Sequence, residues 1–162
     1  MATKLPDDLQ LAPLGGDARA LSEWLTTFHL ASVVLDPYTN ESAWVLESAV
    51  RILEEFRGSH ARVNFIVTAN DDDALAFLGP LTERFLVFCD PDRSVVSAMG
   101  IERLPAFVFT RVDREVVAVA EGWNGPEWHA VAEAIADTTK WNVPTIPAPG
   151  DPGSFAGTPV AG

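Results

Sequence analysis

The sequence predicts an α/β protein with a mixed sheet, and three observations carry that prediction. Short apolar runs rich in Val, Ile and Phe alternate with helical patterns through the front half. Two further runs, "PAFVFT" and "REVVAVAEG", then follow each other with only "RVD" between them. A last helical pattern closes the body. Helices between strands suit parallel crossovers, whereas so short a connection permits only an antiparallel hairpin. The front half therefore reads as βαβ units and the back half as a β-hairpin plus a covering helix.

The elements follow in order. Leu9–Leu11 is a candidate short edge strand in an N-terminal extension, residues 1–16. Asp17 is a candidate N-cap for a helix to about Phe28, with Leu21, Trp24, Leu25 and Phe28 on one face. Ser32–Leu35 is the first buried strand. The next helix starts near Glu41 and stops at Gly58, a natural residue after a helix end. Its apolar positions, from Val45 to Phe56, make a stripe too wide for one contact, so this helix is expected to pack on more than one side. Arg62–Ala69 is a strand. Asp71, Asp72 and Asp73 precede "ALAFLGPL", where one of them serves as N-cap and the others favour the helix dipole. Phe85–Cys89 is a third strand and Ser94–Met99 a short helix ending at Gly100. The hairpin and a helix from Pro126 to about Thr139, with Trp128, Val131 and Ile135 inward, complete a body spanning residues 17–141.

Residues 142–162 form a Pro/Gly-rich tail. From Pro144 to Gly162 it holds five prolines, four glycines and one charge, Asp151. No regular element persists in such a composition. Its apolar residues, Ile146, Phe155 and Val160, leave open a docked path in a groove of its own domain or of a partner.

The chain has 162 residues, 48% of them hydrophobic and 21% charged, enough for one domain with a core. Its net charge of −12 disfavours binding to a phosphate backbone. No apolar run approaches the roughly 20 residues of a membrane span. The first residues lack the apolar stretch of a signal peptide, and Cys89 is the single cysteine. Both features lead us to expect a cytoplasmic protein.

The stretch "VFCDPDRSVVSAMGIERLPAFVFTRVDREVVAVAEGW" holds Asp90-Pro91-Asp92 after a strand, Gly100 after a short helix, Leu104-Pro105 before a hairpin and Gly122 before the last helix. In that order and spacing it resembles the C-terminal half of the thioredoxin-like superfamily, in its TlpA-like and AhpC/TSA-like branches. With the front half, the resemblance covers about Ser32 to Asp137. It implies a three-layer α/β/α sandwich and a cis peptide bond before Pro105, beside the family's active site.

In redox-active relatives, the turn after the first core strand carries Cys-x-x-Cys, or one peroxidatic Cys, at a helix start. There the helix N-terminus lowers the thiol pKa and supplies a thiolate. The corresponding slot here is Thr39-Asn40-Glu41-Ser42, with hydroxyls at both ends and no cysteine within reach. A hydroxyl cannot form a mixed disulfide, and a helix dipole worth about 1 kcal/mol cannot ionise it at neutral pH. Cys89 is a candidate redox residue, but Asp90 and Asp92 would raise its pKa if they lay near the sulfur. The three histidines, His29, His60 and His129, show no metal-ligand spacing. Neither a P-loop nor G-x-G-x-x-G is present. No metal or cofactor is expected.

Two functions are open at this point. One is a redox-inactive thioredoxin-like protein that binds a protein partner, as an adaptor, assembly chaperone or accessory subunit. Its groove would be bordered by Tyr38, Thr39, Ser42, Trp44, Leu104, Pro105 and Trp123. The alternative is a divergent peroxiredoxin-like or thiol-transfer enzyme using Cys89. A homodimer through the sheet edge or tail exchange is a third arrangement that the sequence allows.

Overall fold

The computed structural model describes residues 3–160. Residues 1–2 and 161–162, at the ends of the expected extension and tail, lie outside them. In chain order the elements are β1 (Thr3–Lys4), β2 (Gln10–Pro13), β3 (Arg19–Ala20), α1 (Leu21–Trp24), β4 (His29–Leu35), α2 (Asn40–Glu55), β5 (Ala61–Val67), α3 (Asp71–Leu78), β6 (Leu86–Cys89), α4 (Ser94–Ala98), β7 (Arg103–Leu104), β8 (Ala106–Thr110), β9 (Glu115–Glu121), α5 (Gly125–Thr139) and β10 (Thr158–Pro159). Eight strands form one sheet in the order β1-β9-β8-β4-β5-β6-β2-β3. β4, β5 and β6 are parallel, as the helices between them require. β8 and β9 form the antiparallel hairpin beside β4. The sheet is therefore mixed, and the α/β expectation holds.

Alternation along β4 divides the interior. Ala31, Val33 and Leu35 face a core shared with α2, α3 and α5, including Val45, Ile52, Trp128 and Ile135. Leu30 and Val34 face the other core with α1 and α4, including Trp24, Val95 and Met99. Side chains on successive strand residues point to opposite faces, so one buried strand serves both layers.

The N-terminal region departs from expectation. The helix expected from Asp17 to Phe28 is a single turn, Leu21–Trp24, and it follows Ala20 rather than Asp17. The chain before it is instead drawn into the sheet: Gln10 and Leu11 pair with Ala20 and Arg19. The apolar positions Leu21, Trp24 and Leu25 are buried as anticipated, but a short turn suffices to place them. The N-cap of α3 is Asn70, whose side chain accepts from the Asp73 N–H at 2.9 Å, and the three aspartates fill the first turn. Their role at the helix N-terminus is electrostatic, as expected, but the cap is an amide.

Asp90 is the main polar fixture of the second core. The carboxylate is buried, and Oδ1 accepts from the Val95 N–H at 3.1 Å while Oδ2 accepts from the Val96 N–H at 3.0 Å. It satisfies the second and third free amides of α4 from outside the helix, the first, Ser94 N–H, going to Asp92. Burial pushes its pKa up, against the opposing pull of those amides. Asp90→Ala strands both donors, and the predicted cost is about 2–3 kcal/mol of unfolding free energy, read from urea titration of the variant against the parent.

Candidate functional site

The slot at the start of α2 sits where the sequence places it. Val34 on β4 lies opposite Ala106 on the antiparallel β8. The chain leaving β4 at Asp36 and the chain entering β8 at Leu104-Pro105 therefore lie at the same end of neighbouring strands. The Leu104–Pro105 bond is cis. Thr39 is the N-cap position of α2, and Ser42 lies in its first turn.

Both hydroxyls are committed to holding the turn. The Asp36 N–H donates to Ser42 Oγ at 2.9 Å, and Ser42 is fully buried. The Thr39 hydroxyl donates to the Asp36 carbonyl at 3.1 Å. Asp36 Oδ1 accepts from the Tyr38 N–H at 3.0 Å and closes the turn from the other side. The slot thus has no thiol, no exposed nucleophile at Ser42 and no general base bonded to it. His129 pairs instead with Glu133 along α5, and His29 Nδ1 accepts from the Val112 N–H at 3.0 Å.

Of the expected groove residues, Tyr38 and Trp44 are exposed, at 62% and 57%. The Tyr38 hydroxyl bonds to Asp73 on α3. Leu104 and Trp123 correct the expectation. Both are buried at 1%: Leu104 belongs to the second core, and the Trp123 ring packs on Trp128 at 4.8 Å. They border the groove through their backbones, because the side chains at these positions are needed for the interior. Pro105 is buried as well.

What fills the groove is the chain's own C-terminal segment. The Arg51 guanidinium grips Asp151 with contacts of 2.8 and 3.0 Å, and its other amino group donates to the Thr145 carbonyl at 2.7 Å. Asp151 also accepts from the Ser48 hydroxyl at 2.6 Å and from the Ala148 N–H at 2.7 Å. The tail is therefore fastened to the flank of α2 that carries Ser48 and Arg51, beside the apolar stripe rather than on it. Farther on, Trp123 and Phe155 exchange backbone hydrogen bonds of 2.8 and 2.9 Å. The Phe155 ring meets Trp44 edge-on at 5.5 Å. β10 then pairs antiparallel with β7, Thr158 opposite Leu104 and Pro159 opposite Arg103. The Val160 N–H donates to the Glu102 carbonyl at 2.9 Å, and Arg103 donates to the Ala156 and Gly157 carbonyls.

Sequence reasoning missed Arg51, Ser48 and Arg103 as tail contacts. One signal was available: Asp151 is the single charge of the tail.

Cys89 closes β6 and is 7% exposed. Burial pushes its thiol up to about 12, assisted by Asp71. Asp71, at the start of α3, is the charge beside the sulfur, rather than Asp90 or Asp92; Asp90 is turned away to cap α4. Among the described residues, no three His, Cys, Asp or Glu side chains converge as a metal site would need.

No protein-family model matches the chain, and neither does any curated protein. Solved structures do. A Chlorobium tepidum protein assigned as the thiol:disulfide interchange protein DsbE matches with a TM-score of 0.67 at 16% identity, over 85% of this chain and 96% of its own. Peroxiredoxin Q of Xanthomonas campestris matches at 0.64 and 16%, over 83% and 94%. A hypothetical protein from Sinorhizobium meliloti matches at 0.66 and 18%, over 99% of this chain and 93% of its own. The chain has a thioredoxin-like fold, and it lacks the Cys-x-x-Cys motif. No helix among the described residues is long and apolar enough to cross a membrane.

Two outcomes follow from this geometry. Ser42→Ala leaves the buried Asp36 N–H without its acceptor and is expected to cost about 1–2 kcal/mol in urea unfolding. Asp151 is the pH-sensitive fastening. Burial works to raise its pKa, but Ser48, the Ala148 N–H and Arg51 together hold it below the ordinary carboxylate range. A carboxylate depressed on folding stabilises the fold above its unfolded pKa and loses that contribution as pH falls through the folded value. The Trp44 indole NMR signal is therefore expected to shift as pH drops below about 4, and Asp151→Asn is expected to abolish that step.

Proposed function

We propose that this chain is a redox-inactive thioredoxin-like module that binds a protein partner at the groove beside Leu104-Pro105, as an adaptor, assembly chaperone or accessory subunit. The observation that carries the reading is the state of the slot. Thr39 and Ser42 hydroxyls brace the Asp36 turn where relatives place sulfur. The chain's one thiol is buried at the end of β6, with its pKa raised to about 12. A strand edge that accepts an extended segment supplies affinity through its backbone and specificity through alternate side chains. The single buried thiol also fits a cytoplasmic setting.

A second reading is a thiol oxidoreductase or peroxiredoxin-like enzyme acting through Cys89. It is favoured by the solved structures of this fold, several of which are named for disulfide interchange or peroxide reduction. The residues of this chain favour the first reading, because a nucleophilic cysteine needs a lowered pKa and access.

The test sets the two apart. Native protein is treated with a chromogenic disulfide reagent at pH 8, then assayed for peroxide and insulin-disulfide reduction. Because burial raises its pKa to about 12 and limits access, Cys89 is expected to react at least roughly a hundredfold more slowly than free cysteine, with no turnover. Rapid modification with turnover that Cys89→Ser abolishes would overturn the redox-inactive reading.

A further inference from the structure

We propose that the C-terminal segment is a resident ligand whose pattern defines the partner. The groove receives an extended protein segment with an acidic residue, an aromatic four positions later, a glycine two after that and an aliphatic residue three beyond the glycine. In this chain those residues are Asp151, Phe155, Gly157 and Val160. The inference rests on the protein-binding reading and specifies what is bound.

Each position has a separate physical reason. The acidic residue meets Arg51 and Ser48 on α2. The aromatic is fixed by two backbone hydrogen bonds to Trp123, and its ring packs against Trp44, which is otherwise exposed. The glycine is dictated by space and by backbone. Gly157 has a φ of +84°, and a Cβ there would stand 2.7 Å from the Leu104 carbonyl oxygen. The receiving surface is shaped to match: Gly122, at φ +69°, lies under the tail, and a Cβ on it would come within 2.6 Å of the Ala156 carbonyl oxygen. The aliphatic residue packs against the core formed with α1 and α4. Between these points the hold is indifferent to sequence. Arg103 reads only the carbonyls of residues 156 and 157, and Glu102 only the N–H of residue 160. A proline is tolerated at 159, opposite Arg103, because the backbone N–H that bonds Glu102 is that of residue 160.

The experiment uses the full chain and a dye-labelled peptide of residues 148–160, followed by fluorescence anisotropy. In the wild-type chain the resident tail competes, and binding is expected to be weak. Gly157→Ala in the chain dislodges its own tail, and the wild-type peptide is then expected to bind at least tenfold more tightly. On that variant, peptides with Ala in place of Phe155 or of Gly157 are expected to bind at least tenfold more weakly than the parent peptide. If all three peptides bind alike, the groove accepts extended segments without reading this pattern: the proposal fails and the protein-binding reading survives. If none binds to a variant with a cooperative thermal transition, both fail. Light scattering showing wild-type dimers with exchanged tails would replace the separate partner by a second copy and overturn the proposal. Asp151→Asn, which loosens the tail at α2 instead, is the second variant should Gly157→Ala not fold.

Discussion

The backbone of β7, just before the cis Leu104–Pro105 bond, and that of Trp123 carry donors and acceptors that must be bonded to something. An open edge next to an exposed tryptophan invites pairing with whatever chain is near. Here residues 155–160 meet it, through the exchange between Trp123 and Phe155 and the pairing of β10 with β7. The rest of the site follows from that pairing. Gly122 and Gly157 are bare because two backbones pass at close range. Arg103 has main-chain carbonyls to hold. Arg51 and Asp151 fasten the approach over α2.

The turn at Asp36 is braced from within by two hydroxyls. A nucleophile at a helix start must be exposed and activated. Ser42 is neither: it is buried and accepts the Asp36 N–H, while Thr39 donates to the Asp36 carbonyl. Hydroxyls suit this bracing because each combines donor and acceptor capacity in little volume. The one thiol, Cys89, sits at a strand end where burial and Asp71 oppose ionisation. Fold and chemistry are separable in this way because the sandwich is held by its two apolar cores, and neither depends on the slot.

Much of the scaffold was legible in the sequence. The strands around Ser32–Leu35 and Arg62–Ala69, the long helix between them and the hairpin are where the periodicity puts them, because buried strands and long amphipathic helices leave strong patterns. The N-terminal region was not, since "ARALSEWLTTFH" satisfies helical spacing while the pairing of Arg19–Ala20 with β2 is a long-range choice that no local pattern records. The groove was half legible. Thr39, Ser42 and Trp44 stand where the motif spacing places them, whereas Leu104 and Trp123 contribute backbone rather than side chain. The tail was the least legible part. Its composition argues against any regular element, yet Thr158–Pro159 form a short strand because β7 offers a partner, and the rest of its path is set by single contacts at Asp151, Phe155 and Val160 scattered among prolines and glycines.

In solution the C-terminal segment is expected to lie along Trp44, Trp123 and β7. Amide hydrogen exchange on the intact chain at neutral pH addresses this directly at three residues whose N–H groups close the contact: Trp123, Phe155 and Val160. Slow exchange at all three, comparable with β9, is the result expected. Exchange at Phe155 and Val160 as fast as in an unstructured peptide would contradict the account.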